Sequence, residues 1–274
     1  MLLPLKDNNP LKRIPYQYVT VAFIALCVLV FLWQLSLGNE GGRKAVLAFG
    51  AIPSVLFGSR TLPVELVMIP APLSLITSMF MHGGWMHLIG NMLFLWVLGD
   101  NVEDAMGHGR FIVFYLLCGV AAALTHAGFD PASTTPMIGA SGAISGVIGA
   151  YLILHPKVQI LTLAFRFFIH IPAYIMLGIW IALQVFNVSM ASGAGGGGVA
   201  WWAHIGGLIA GVVLIAPMRH KSVPLFNGVG ANTAQTDSAD AAPTGPWGRL
   251  TPKQAKDHKE ARSRRSFIPN SGKK

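Results

Sequence analysis

The sequence predicts an all-α fold: a polytopic membrane protein built as a six-transmembrane-helix bundle. Three observations predict it. Hydrophobic residues make up 53% of the 274, charged residues only 11%, and the mean hydropathy is +0.56, whereas a soluble domain carries about 25% charged residues. The apolar residues gather into runs at 20–37, 76–99, 111–128, 141–155, 167–189 and 200–218, most of them reaching the ~17–25 residues that a spanning helix needs. The lysines and arginines divide unevenly between the segments that join the runs, as they do on the two sides of a bilayer.

The first run follows a polar stretch with Lys6, Lys12 and Arg13 and passes through Phe31-Leu32-Trp33 without an Ala-x-Ala exit. It therefore reads as an uncleaved span and not as a signal peptide. Residues 38–75 carry Ala45-Val46-Leu47-Ala48-Phe49 and Val55-Leu56-Phe57, an apolar content that suits a loop lying at the membrane interface. The fourth run is short and follows a loop with Asp130-Pro131 and Thr134-Thr135-Pro136, so it starts below the membrane surface. The bilayer tolerates such a depth only around a water-filled cavity. Between the last two runs, Gly195 to Gly198 suit a mobile gate or a plain flexible connector equally. Past Met218 the chain turns polar and ends in a basic stretch around Arg262-Ser263-Arg264-Arg265, the composition of a disordered tail able to touch anionic lipid.

The expected organisation is a cytoplasmic N-terminal segment (1–16), a six-span domain (17–218) and a disordered basic cytoplasmic tail (219–274). With the N-terminus inside, the cytoplasmic segments hold Lys6, Lys12, Arg13, Arg110, Lys157, Arg166 and every lysine and arginine after residue 218; only Arg43, Lys44 and Arg60 fall outside. Both termini are then cytoplasmic. The net charge of +9 comes largely from the tail, and no fold behind it would bind nucleic acid. Cys27 and Cys118 both lie within apolar runs and read as small core residues, not as a disulfide.

Ionisable and strongly polar groups inside spanning segments are costly and default to a functional reading. Ser141, in Gly139-Ala140-Ser141-Gly142, opens the fourth run; His204, in Ala203-His204-Ile205-Gly206-Gly207, lies in the sixth. Taken alone, Ser141 could be an N-cap and His204 could satisfy itself on a backbone carbonyl. Together they are a nucleophile and a base, and the glycines beside each (Gly142 and Gly146; Gly207 and Gly211) allow the close helix approach that a direct bond requires. No Asp or Glu lies in either run, so the unit is a dyad without an orienting carboxylate. In the second run His87 and Asn91 stand at i, i+4 and share a face, and both can donate hydrogen bonds to a developing oxyanion. His82 is expected to point elsewhere, nearer the outer surface. A metal held by His82, His87 and His204 is disfavoured by the missing His-Glu-x-x-His spacing and by the lack of a nearby carboxylate.

These segments, in this order, resemble the signature segments of the rhomboid intramembrane serine proteases, and Glu103-Asp104-Ala105-Met106-Gly107 with Arg110-Phe111 and Tyr115 resembles that family's link between its second and third spans. The resemblance covers roughly residues 17–218 and makes the bundle rhomboid-like. It implies Ser141 as nucleophile, His204 as general base and then acid, and an oxyanion held by His87, Asn91 and the Ser141 backbone N–H. It further implies single-span or polytopic membrane proteins as substrates, no cofactor, and a multi-pass location in a bacterial inner (plasma) membrane. Two departures stand out: Ser145 occupies a position that is often aromatic and packs on the catalytic histidine, and the first loop lacks a common Trp-Arg pair. The alternatives are a catalytically inactive rhomboid-like protein that binds membrane clients, and a transporter, which would be expected to show an intramembrane carboxylate or helices arranged as repeats.

Overall fold

The computed structural model describes residues 2–164, 166–191 and 201–226. In chain order these form strand β1 (Leu2–Asp7), helices α1 (Tyr18–Ser36), α2 (Gly38–Phe49), α3 (Pro53–Leu56), α4 (Ser74–Thr77), α5 (Trp85–Met106), α6 (His108–Phe129) and α7 (Ser141–Leu154), strands β2 (Gln159–Ala164) and β3 (Phe167–Pro172), and helices α8 (Ala173–Ala191) and α9 (Trp201–Met218). The chain is mostly helical, and each of the six apolar runs contributes a helix. By length and composition, α1, α6 and α9 can cross a membrane, and a fourth crossing arises if Val64–Phe80 and α5, bent by 81° at the break between them, form one span. α7 and the first part of α8 are apolar but shorter.

The all-α expectation needs correction. β1, β2 and β3 form an antiparallel sheet in that order, with β1 paired from Leu2↔Ala164 to Asp7↔Ile160 and β2 from Gln159↔Pro172 to Ala164↔Phe167. Residues 167–172 were expected to belong to a span, yet they are strand, and the helix begins only at Ala173. A short apolar run does not by itself distinguish strand from helix. The N-terminal segment contributes β1, one of the sheet's two outer strands.

Side chains from α5 and α7 fasten this N-terminal region. Asp7 accepts hydrogen bonds from Tyr151 Oη (2.5 Å) and Asn101 Nδ2 (3.0 Å). Burial pushes the Asp7 carboxyl above its usual range, and the Tyr151 bond offsets only part of that. Asp104 accepts from the backbone N–H groups of Lys12, Arg13 and Ile14 at 2.6–3.1 Å. Buried Glu103 accepts from Val19 N, Thr20 N and Thr20 Oγ1 at 2.7–3.0 Å, and it also meets His108 Nδ1 at 2.6 Å. The first turn of α1 has no acidic residue of its own. A carboxylate supplied by α5 therefore satisfies the free N–H groups at that helix end, which gives Glu103-Asp104 a structural purpose.

α7 is the central helix: every residue from Gly142 to Tyr151 is buried. Its glycines lie against α6 and α9. A Cβ on Gly207 would overlap the Gly142 carbonyl oxygen, and one on Gly211 would overlap that of Gly146. The expected glycine-mediated approach of these two helices is present. Around this centre, large apolar side chains face outward, among them Leu29 and Leu32 on α1, Leu117 on α6, Leu183 and Phe186 on α8, and Val213 on α9. An exposed apolar surface of that extent is matched by lipid and not by water. Cys27 and Cys118 are buried and unpaired.

Residues 219–226, assigned from sequence to the tail, fold back onto the helices: His220 N donates to Ala105 O (2.8 Å) and Phe226 N to Ile153 O (2.6 Å). Gly195–Gly198 and the basic stretch at 262–265 lie outside the described residues.

Candidate active site

Ser141 is the first residue of α7, and the N-cap is Ala140, which offers no capping side chain. The serine hydroxyl is thus free for another partner. Its Oγ lies 2.9 Å from His204 Nε2. His204 is buried near the start of α9, where the glycine seam brings the two helices together. Ser145, one turn after Ser141, donates from its hydroxyl to the Ser141 carbonyl (2.7 Å) and is wholly buried.

The other ring nitrogen of His204 has a partner that the sequence reading missed. Nδ1 lies 2.7 Å from Oε1 of Gln184 on α8. The Gln184 Nε2 donates to the Trp180 carbonyl (3.2 Å), and this second bond orients the amide with its oxygen toward His204. An amide oxygen only accepts, so the network assigns the proton to Nδ1 and a bare lone pair to Nε2. That lone pair faces the Ser141 hydroxyl. Trp180 and Trp201 flank the imidazole, each with its ring centroid 5.8 Å away. The aromatic contact that Ser145 cannot supply therefore comes from α8 and α9. A sequence signal was available: Gln184 is a polar side chain well inside an apolar run, four residues after Trp180.

On α5, Asn91 is buried, and His87 is half-buried one turn earlier. His82 departs from expectation. It is 1% exposed, its Nε2 lies 3.1 Å from Asn91 Nδ2, and its ring sits 5.2 Å from that of His87. Its Nδ1 lies 3.3 Å from the Phe80 carbonyl, which can only accept. His82 Nδ1–H thus donates to Phe80 O, its Nε2 accepts one Asn91 amide hydrogen, and the second amide hydrogen remains available. His87 Nδ1 faces Gly83 N–H in a long contact of 3.5 Å, which leaves Nε2 to carry the proton. The two donors converge beside Gly139. A Cβ there would stand 2.6 Å from His87 Nε2 and 3.6 Å from Asn91 Nδ2, and its φ of +120° already favours glycine.

Ser141, His204, His87, Asn91, Gln184, Trp180 and Trp201 all line one cavity of about 980 Å³ between α5, α7, α8 and α9. Among the described residues, no three His, Cys, Asp or Glu side chains are grouped so that they could hold a metal ion.

A family model described as the rhomboid domain matches residues 71–221. The chain is 31% identical over 202 residues to Rhomboid protease GluP of Bacillus subtilis, covering 73% of this chain and 34% of that protein. It is 32% identical over 154 residues to Rhomboid protein 1, mitochondrial, of Saccharomyces cerevisiae (53% and 41%), and 30% identical over 163 residues to Rhomboid-like protease 5 of Toxoplasma gondii (58% and 18%). The match thus spans less than half the length of each of these relatives. Fold, apolar helices and family model agree on the class, an integral membrane protein of helical bundle type. The chain belongs to the rhomboid family.

Proposed function

We propose that this chain is an intramembrane serine endopeptidase that cuts the spanning or juxtamembrane segment of other membrane proteins with Ser141 and His204 as a dyad. The observation that carries the reading is the 2.9 Å contact between Ser141 Oγ and His204 Nε2 at the wall of the cavity. Ser141 Oγ attacks the scissile carbonyl carbon as its proton passes to Nε2. The negative charge that develops on the carbonyl oxygen is met by His87 Nε2–H, the free Asn91 amide hydrogen and the Ser141 backbone N–H, one of the unpaired donors at the start of α7. The imidazolium then returns its proton to the leaving amine. An acyl-enzyme remains, which water cleaves with the same base.

The length of α7 supports intramembrane chemistry. Its 14 residues rise about 21 Å, short of the ~30 Å of bilayer hydrocarbon. If the Leu154 end reaches the cytoplasmic interface, Ser141 lies below the outer surface, and the cavity supplies the water. We further propose six crossings with both termini cytoplasmic and a protease domain over residues 17–218. The relatives named as proteases support the hydrolase class, and the intact dyad favours activity over the inactive client-binding alternative. The test is covalent labelling. A fluorophosphonate probe is expected to modify Ser141 in the full chain and to fail with Ser141→Ala. Labelling that persists in that variant would sink the proposal.

A further inference from the structure

We propose that Gln184 is a positioning residue: its Oε1 holds His204 in the tautomer that leaves Nε2 free to take the Ser141 proton. This rests on the dyad proposed above and adds to it a third member from α8.

The geometry is specific. His204 Nδ1–H donates to Gln184 Oε1 at 2.7 Å, and both side chains are buried, Gln184 at 6% exposure. A bland account would have Gln184 merely hide its polarity by bonding back to its own helix. That account uses only Nε2 and the Trp180 carbonyl; it leaves unexplained why the oxygen is aimed at the base. Trp180 and Gln184 lie one turn apart and engage the same imidazole, one by its ring and the other by its amide. Together they do what an aromatic at position 145 and a carboxylate would do elsewhere, which explains how Ser145 is tolerated.

The chemical difference from a carboxylate is informative. During attack the Ser141 proton moves to Nε2, and the Nδ1 proton stays on His204, still donated to Gln184. The amide orients the ring but brings no full negative charge to the imidazolium. The titratable groups that face this ring are His87 on α5 and His126 on α6, and neither can act as a counter-anion.

The experiment compares the full chain with Gln184→Met, which keeps the side chain's length and loses the acceptor, and Gln184→Glu, which keeps an oxygen acceptor and adds charge. With a spanning model substrate in detergent, Gln184→Met is expected to lower kcat about 10- to 100-fold with KM unchanged. This is less than the ~10⁴ lost when a triad aspartate is replaced, because an amide orients without ionic stabilisation. Gln184→Glu is expected to recover activity relative to Gln184→Met and to move the acid limb of the kcat profile to higher pH. In the Ser141→Ala background, nitrogen NMR of His204 is expected to show a single Nδ1-protonated tautomer that becomes mixed with Gln184→Met. Full kcat in Gln184→Met, an unchanged tautomer, or a Gln184→Glu variant as slow as Gln184→Met would each overturn the positioning role. Cleavage surviving in Ser141→Ala alone would instead overturn the dyad, so the two failures are distinguishable.

Discussion

Gly207 on α9 rests against the carbonyl oxygen of Gly142 on α7 so closely that a Cβ at 207 has no room. Ser141 immediately precedes Gly142, and His204 lies one turn before Gly207, so the Ser141–His204 bond is set by this backbone contact. Any methyl at 207 must push the helices apart. A displacement of about 1 Å can cost ~10²-fold in rate, and a 2.9 Å hydrogen bond does not survive it. Gly207→Ala is therefore expected to lower kcat by at least about tenfold, and Gly207→Val is expected to abolish cleavage and lower the unfolding temperature. Gly178 on α8, where a Cβ meets nothing within 4 Å, provides the control: Gly178→Ala retains activity. Equal activity of Gly207→Val and the parent protein would refute the seam argument.

The proposed dyad would act as one unit, so Ser141→Ala, His204→Ala and the double variant are expected to lose nearly the same large factor in kcat and not a product of two factors. The proposed serine chemistry uses no metal, so EDTA is expected to leave turnover unchanged. Loss of activity on chelation, restored by zinc, would move attention to His82, His87 and His204.

The donors on α5 make a separate prediction. Asn91→Ala and His87→Ala each remove one group aimed beside Gly139, and each is expected to lower kcat by up to ~10²–10³-fold with little change in KM. Because both would serve one oxyanion in the proposed mechanism, their combination is expected to fall short of additivity. Within this relay His82 hydrogen-bonds the Asn91 amide and sets its ring edge-on against His87, so His82→Ala is expected to have a smaller effect that shrinks in an Asn91→Ala background. Full kcat in both Asn91→Ala and His87→Ala, with a lower unfolding temperature, would reduce these residues to packing.

What sequence could and could not reveal follows from the range of the interactions. Ser141, His204, His87 and Asn91 were legible because each is a polar group within a run that otherwise suits lipid, and their spacing matched a family pattern. Gln184 satisfied the first condition only, and its meaning depends on α8 packing against α9. His82 was misread because the break at Gly83-Gly84 turns the chain by 81° and carries the ring back toward Asn91. The sheet was invisible for a different reason: β1 pairs with β2 more than 150 residues away, starting with Leu2↔Ala164, and no local period announces such a partner. The six runs survive as helices, but α7 falls short of a full crossing by length, so span counting by hydropathy reaches its limit at the helix that carries Ser141.

The last prediction concerns the N-terminal strand. Asp7 lies outside the apolar helices; burial raises its carboxyl in the folded chain, and Asp100 on α5 faces it. A raised value means that the folded state prefers the protonated form. Docking of β1 is then strongest below the ordinary carboxylate value of about 3.9 and weakens as pH rises through the higher folded value. Asp7→Asn keeps an oxygen that can accept from Tyr151 Oη and Asn101 Nδ2 but carries no charge. The variant is expected to match the parent protein in acid, to unfold at a higher temperature near neutral pH, and to show a flatter dependence between the two. Tyr151→Phe, which removes a donor that favours the carboxylate, should steepen the loss with rising pH. The measurement is thermal unfolding in detergent across that range for the three proteins. A parent protein that grows more stable than Asp7→Asn as pH rises would mean that Tyr151 and Asn101 more than offset the burial of the charge.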